Sequence, residues 1–255
     1  MCLTEAMQFG CVPIAFDSFP AIHDIILPQQ TGELVCPFSK REYIQKITYL
    51  MQNDSYRNEL SRKAFNHVKK YDIKTTDEAT LRKWYYLMTL GRALDEKTPS
   101  YLLQSLGWSF HAPYAGHDGI QLAIGQVFTK GEDFLFPYYR DMLTALSAGM
   151  SVEELILNGI SKATDPGSGG RHMSNHFAKP EWHIENVSSA TGTHDLHAAG
   201  VARAMVYYGH RGVAITSHGE SASSEGFVYE AVNGASLERL PVIFVWQDNG
   251  YGISV

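Results

Sequence analysis
Cysteine is scarce in this chain. Its 255 residues hold three, Cys2, Cys11 and Cys36, and none follows residue 36. A set this small, odd in number and unpatterned, argues against a disulfide framework and for a reducing compartment, so a cytoplasmic location is expected. Long apolar runs are missing too. No stretch approaches the ~20 residues of a membrane span. No basic N-terminal region leads into an apolar block, so no secretory leader is expected. Positive charge is not in excess: 21 Lys and Arg against 27 Asp and Glu leave a net charge of -6, which gives no reason to expect nucleic acid as a partner. What remains is 44% hydrophobic and 19% charged, the composition of a soluble globular protein. The length suffices for one large or two small domains with a real core.

Histidine runs opposite to cysteine, with nine of eleven after residue 100. That shift points to two segments of different origin. The join falls near Val68-Lys69-Lys70-Tyr71-Asp72, without the flexible Gly, Ser or Pro stretch usual between domains. The seam is abrupt, as in a gene fusion or a misassembled reading frame. Domains are expected over 1–72 and 73–255.

Residues 212–255 organise the second segment. They read as strand, turn, helix, strand. Val213 to Thr216 is a short apolar run, and Gly219-Glu220-Ser221 a sharp polar turn. Residues 222–237 have helical spacing, with Phe227, Ala231 and Ala235 on one face and Val228 and Val232 beside it. Leu240-Pro241 breaks the helix, and residues 242–245 form a second buried strand that runs into Gln247-Asp248-Asn249-Gly250-Tyr251. A helix of this length between two short apolar strands predicts a right-handed parallel crossover, hence an α/β fold with a parallel sheet. Both strands then end on one edge, bringing Glu220 and Asn249 together beside a helix N-terminus. Oxygen ligands suit a hard cation such as Mg²⁺, and a helix N-terminus suits a phosphate. The pattern describes a seat for a metal-bridged diphosphate.

Gly219-Glu220 followed by Asn249 resembles the thiamine diphosphate signature, Gly-Asp-Gly through to Asn-Asn. The flanking text, residues 224–233 and 240–245, resembles the alpha subunit of the decarboxylating component of 2-oxo acid dehydrogenases. Glu220 stands in place of Asp, as in the branched-chain members. Ser221 replaces the third Gly, and Asp248 the first Asn. The resemblance implies a thiamine diphosphate-binding α/β/α domain, with Mg²⁺ held by Glu220, Asn249 and the carbonyl of Tyr251. Ser221 falls within the same cofactor motif.

Further matches lie upstream. Tyr138-Tyr139-Arg140-Asp141 resembles the family's Tyr-Arg pair, so Tyr139 and Arg140 are implied to contact the cofactor, Arg140 on the diphosphate. Arginine's fixed charge and planar fork suit that role. Gly170-Arg171-His172-Met173 resembles a branched-chain segment. Residues 186–194 resemble the loop that lies against the cofactor, which implies Ser189 on the phosphate and backbone at Thr191 on the aminopyrimidine. His172 and His176 are four apart, but the glycine-rich run at 165–170 argues against a helix there. No cysteine or third spaced ligand supports zinc. His117 stands where the family commonly has Gln and receives no role. Thr75-Thr76-Asp77-Glu78 predicts a capping box, opening a helix with Leu81, Trp84, Tyr85, Met88 and Gly91 on one face. Residues 198–208 are rich in small residues, so oligomerisation is expected.

Residues 1–70 predict a helix ended by Gly10, a strand over 12–16, a short helix over 21–27, a strand over 33–35, and amphipathic helices over 43–51 and 56–68. Tyr43, Ile44, Ile47 and Leu50 form one stripe. Leu3-Thr4-Glu5-Ala6-Met7, Phe9 to Asp17 and Thr31-Gly32-Glu33-Leu34-Val35 resemble the nucleotide-sugar domain of retaining glycosyltransferases of the two-Rossmann-domain type. The resemblance implies a donor-ribose contact at Glu5. It covers about a third of such a domain, so a partial Rossmann-like fragment without transfer is expected.

For the intact enzyme the second resemblance implies decarboxylation of a 2-oxo acid, branched-chain by Glu220 and residues 170–173, and passage of the acyl group to a lipoyl-bearing acyltransferase. Its beta subunit or beta half supplies the activating Glu. The chain ends before that region, so half a cofactor site is expected, with weak binding and little or no turnover alone. A sugar transferase and an inert fusion are the alternatives.

Overall fold
The computed structural model describes residues 3–18, 22–72, 76–103 and 107–252. The chain divides into two compact units, Met1–Leu81 and Arg82–Val255.

In the first unit, α1 (Leu3–Gln8) leads to β1 (Ile14–Phe16), α2 (Ile22–Ile25) and β2 (Glu33–Val35), then α3 (Lys40–Gln52) and α4 (Asp54–Val68). The first two residues of the first expected helix, and Ala21 of the next, lie outside the described residues. Gly10 closes α1 with φ +76, a left-handed position that glycine occupies freely. β1 and β2 pair in parallel, Ile14 with Glu33 through Phe16 with Val35. Met7, Ala64 and Val68 make a small core between α1 and α4. The stripe expected on α3 is not buried as a whole. Leu50 is buried, but Ile44 is 63% exposed and Ile47 is also exposed, because a two-stranded sheet of three-residue strands covers little of a 13-residue helix.

The second unit takes α5 (Glu78–Leu103), of which the first turn belongs to the first unit, then α6 (Asp118–Val127), β3 (Phe134–Phe136), α7 (Met142–Ser147), α8 (Val152–Gly159), α9 (Thr193–Tyr208), β4 (Ala214–Gly219), α10 (Gly226–Glu238) and β5 (Val242–Gln247). Thr75 of the expected capping box lies outside the described residues. Asp77 caps the helix instead: its carboxylate accepts from the Thr80 N–H at 2.9 Å and from the Thr80 hydroxyl at 2.7 Å.

β3, β4 and β5 form one parallel sheet in that order. Side chains alternate across it. Leu135 and Ile215 point into the larger core, with Leu122, Ile124, Leu143 and Leu146 of α6 and α7. Phe136 and Ala214 point the other way, onto Ala198 and Ala202 of α9. Ala198 and Ala202 therefore serve close packing on the sheet, while Gly200 and Ala204 of the same helix are exposed, and α10 packs beside α9. The architecture is α/β/α with a parallel sheet.

Two expectations need correction. The crossover helix begins at Gly226, four residues later than its spacing predicts, because residues Glu220–Ser224 wind into a 3₁₀ turn. Phe227 is consequently exposed, and the buried stripe is Val228, Ala231 and Ala235. β5 is also less buried than its apolar sequence suggests: Ile243 is 51% and Trp246 45% exposed, since β5 pairs on one side only while β4 lies between two strands.

α6 and α7 approach so closely that a Cβ on Gly125 would stand 1.7 Å from Ser147 Oγ and 2.6 Å from both Thr144 O and Ala148 N. Two of these are backbone atoms, which cannot rotate away. G125A is expected to lower the unfolding free energy by about 1–3 kcal/mol, read as a shift in urea midpoint at unchanged m-value. A midpoint equal to wild type would mean that the two helices separate at little cost.

Candidate functional site
The carboxyl ends of β4 and β5 bring the sequence-predicted ligands together. β4 is buried throughout and ends at Gly219; β5 ends at Gln247. Glu220 and Asn249, one and two residues beyond, meet directly: the Asn249 N–H donates to Glu220 Oε2 at 3.4 Å. The chain after β5 folds into two consecutive side-chain turns. The Gly250 N–H donates to Asp248 Oδ1 at 2.8 Å, and the Tyr251 N–H to Asn249 Oδ1 at 3.0 Å. Asp248 thus keeps the turn-forming capacity of the asparagine that it replaces. The loop closes on Ser221, whose Oγ would lie 2.1 Å from a Cβ at Gly252. Tyr251 is exposed.

Tyr138, Tyr139 and Arg140 border the same edge. A Cβ on Gly219 would stand 2.8 Å from the Tyr138 hydroxyl, so glycine there lets this ring reach the strand end. The Tyr138 hydroxyl donates to that of Tyr139, and the Arg140 guanidinium lies 5.8 and 6.0 Å from the two rings. One Arg140 nitrogen donates to the Pro113 carbonyl at 2.8 Å. Its Nε is buried without a hydrogen-bond partner among the described residues. Burial keeps the Tyr138 phenol neutral, well above its ordinary range.

Ser189 and Thr191 lie on the exposed loop before α9. Gly192, at φ +78, is the helix's N-cap. A Cβ there would be 2.9 Å from Val228 Cγ2 and 3.6 Å from the Ala222 carbonyl, so this loop rests on the turn that follows Glu220. Glu5 lies far from these residues in sequence, exposed on α1 of the first unit.

Beneath the edge runs a polar network that sequence reasoning missed. Asp141 is buried and accepts four hydrogen bonds: from the Tyr138 N–H at 2.8 Å, from the Thr144 hydroxyl at 3.0 Å, from Gln247 Nε2 at 2.5 Å and from the Ser217 hydroxyl. Gln121 extends the network, donating to Gln247 Oε1 at 3.0 Å and to the Arg140 carbonyl at 3.0 Å. Burial raises the Asp141 carboxyl, and the four donors pull it partly back. On the opposite face Asp195 accepts from the Thr216 hydroxyl at 2.7 Å, and its other oxygen lies 2.8 Å from His218 Nδ1. His194 Nε2 donates to the Ser217 carbonyl at 2.7 Å, and burial holds that ring below its ordinary value. The signal was present: Thr216-Ser217-His218 and Gln247 are polar residues inside otherwise apolar strands.

His172 and His176 stack in a loop with ring centroids 4.3 Å apart. His117 is the N-cap of α6 without a side-chain bond. Among the described residues, no group of three or more His, Cys, Asp or Glu is placed to hold a metal. The donors at the strand ends are of another kind: a carboxylate, an amide oxygen and backbone carbonyls, which suit a hard divalent cation. The unpartnered Arg140 Nε suits a phosphate oxygen. The residues present therefore fit a metal-bound diphosphate.

A parallel α/β/α sheet that gathers polar groups outside its carboxyl edge is the architecture of an α/β ligand-binding domain. The profile of the family described as Dehydrogenase E1 component matches residues 85–255, and the chain belongs to that family, which is thiamine diphosphate-dependent. Residues 1–67 match Glycosyl transferases group 1, so the first unit carries the glycosyltransferase-like text. The chain is 36% identical over 172 residues to the 2-oxoisovalerate dehydrogenase subunit alpha of Bacillus subtilis, covering 67% of this chain and 52% of that protein. It is 35% identical over 173 residues to the pyruvate dehydrogenase E1 component subunit alpha of Staphylococcus aureus and to that of Staphylococcus epidermidis, covering 66% of this chain and 42% of each. It thus spans about half the length of the curated relatives it matches. No described helix is long and apolar enough to cross a membrane.

Proposed function
We propose that residues 73–255 form the thiamine diphosphate- and Mg²⁺-binding alpha part of a 2-oxo acid dehydrogenase, with residues 1–72 a separate glycosyltransferase-like fragment. The observation that carries the reading is the meeting of Glu220 and Asn249 at the ends of adjacent parallel strands, where the Asn249 backbone N–H donates to Glu220 Oε2 at 3.4 Å. Glu220, Asn249 and the Tyr251 carbonyl would hold Mg²⁺. Arg140 and Ser189 would hold the diphosphate, Tyr139 and Ser221 would also contact the cofactor, and the backbone at Thr191 would meet the aminopyrimidine. The bound cofactor supplies an electron sink for breaking the bond between a 2-oxo acid and its carboxylate. This chain's share is to fix the charged end of the cofactor against a rigid sheet edge. Glu220 with residues 170–173, and the 2-oxoisovalerate relative, favour a branched-chain 2-oxo acid. A beta subunit or beta half, a lipoyl-bearing acyltransferase and an oligomeric assembly complete the proposal.

Thermal unfolding of the chain with thiamine diphosphate and MgCl₂ tests it, since a ligand of the folded state raises Tm by mass action. A rise that requires both is expected. A rise with a nucleotide sugar alone would favour the transferase alternative, and a folded chain indifferent to both an inert fusion. R140A is expected to weaken Mg²⁺–thiamine diphosphate binding by about 10- to 100-fold, the worth of one charged hydrogen bond or slightly more, by titration calorimetry. Unchanged affinity would remove Arg140 from the site.

A further inference from the structure
The expected phosphate contact, Ser189, is held by a histidine. Ser189 Oγ lies 3.0 Å from His176 Nε2, and His176 Nδ1 lies 3.1 Å from the Ser174 carbonyl oxygen. A carbonyl only accepts, so these partners place the imidazole proton on Nδ1. Nε2 of the neutral ring is then an acceptor, and the Ser189 hydroxyl donates to it at 3.0 Å in preference to the Met173 sulfur, a weak acceptor 4.0 Å away. His176 is 2% exposed, while Ser189 is open to solvent. The titratable groups facing His176 are His172, which stacks on it and binds the Val187 carbonyl at 2.9 Å, and His194 at the start of α9. Burial holds the His176 ring below its ordinary value, so the neutral form prevails.

A hydroxyl has one proton. A proton given to His176 is not available to a phosphate oxygen, which also only accepts. Turning it toward a phosphate leaves Nε2 facing an oxygen lone pair with no hydrogen between them. Protonation of the ring restores the bond with its direction reversed, since both nitrogens of imidazolium donate. We propose that His176 is a positioning residue that couples diphosphate binding to the uptake of one solvent proton, its ring changing from acceptor to donor as Ser189 turns its hydroxyl to the phosphate. This rests on the diphosphate reading of the strand-end site.

The test is nitrogen NMR of the histidine rings in the full ¹⁵N-labelled chain, with Mg²⁺ and inorganic pyrophosphate as the probe. The free chain is expected to show His176 as the Nδ1–H tautomer. With probe bound, its titration midpoint is expected to rise by about one pH unit or more. Ser189 is exposed, so S189A keeps the fold. S189A is expected to bind the probe more weakly, so the probe is raised until the Glu220 and Asn249 amide shifts saturate, and at that point the rise is expected to be absent. An Nε2–H tautomer in the free chain overturns the inference. So does a rise that persists in S189A, which would be the work of phosphate charge alone. A probe that shifts the Glu220 and Asn249 amides without moving His176 overturns the inference and leaves the diphosphate reading standing. Absence of any shift at those strand ends sinks both.

Discussion
E220A is expected to abolish Mg²⁺-dependent binding of thiamine diphosphate while leaving the fold intact. Glu220 is half-buried, and its carboxylate accepts a long bond, 3.4 Å, from the Asn249 N–H. Its removal strands no buried donor, so the Tm of the free chain should change little. The same carboxylate is the charged member of the proposed metal ligands, while the other carboxylate of the loop, Asp248, already accepts from the Gly250 N–H at 2.8 Å. Losing even a supporting group beside a metal typically costs about 10–100-fold in affinity, and a direct anionic ligand should cost at least the upper end. E220Q keeps size and removes charge, so it should fail nearly as badly. E220D keeps charge and shortens the reach, and should recover part of the binding. Calorimetry with thiamine diphosphate at fixed MgCl₂ measures all three. Wild-type affinity in E220A would end the assignment of this residue to the metal.

The second large effect falls on stability. D141A leaves the Tyr138 N–H, the Thr144 and Ser217 hydroxyls and the Gln247 amide without their acceptor in a buried place. Each stranded donor costs about 1–3 kcal/mol. Relaxation and entering water recover some of it, so a net loss of about 3–5 kcal/mol is expected by denaturant unfolding, large enough to unfold a marginal domain. A loss under 1 kcal/mol would show that the network does not hold the sheet edge. The pH dependence has a definite sign. Burial raises the folded carboxyl of Asp141 above its ordinary value. Over the range between the two values the unfolded chain has released the proton and the folded chain keeps it. The folded state then binds more protons, so the contribution of Asp141 is fully present below the ordinary Asp value and is lost as pH rises through the folded one. D141N carries no such proton, and the difference in slope between it and wild type isolates the effect.

Much of the fold and the strand-end pair was legible because both are local. The apolar runs before Glu220 and Asn249, and the helical spacing between them, fix a parallel crossover whose strand ends must coincide. The helix start was misread because Ala222, Ser223 and Ser224 are acceptable in a helix, and no propensity records the 3₁₀ turn that the strand end forces on them. The burial of β5 was overestimated because an apolar sequence does not say whether a strand has one neighbour or two. Asp141 was read as the tail of a Tyr-Arg motif. Its role depends on Ser217 and Gln247, 76 and 106 positions away, and separations of that size leave no periodicity to read. Ser189 was found by resemblance, but the ring of His176 behind it is a matter of loop geometry.

The two pairings of the second sheet close very different lengths of chain. The contact from Asn249 to Glu220 spans 29 positions, whereas that from Val213 to Asp133, at the start of the β3 pairing, spans 80. Loop-closure entropy grows with the logarithm of length, so the longer span costs about 1 kcal/mol more before any contact offsets it. Closure entropy alone therefore favours β4, α10 and β5 joining as a local unit before β3 docks with its tyrosines and Arg140. The residues proposed for the metal would then be gathered by the least expensive closure in the sheet, and those proposed for the diphosphate by the costlier one.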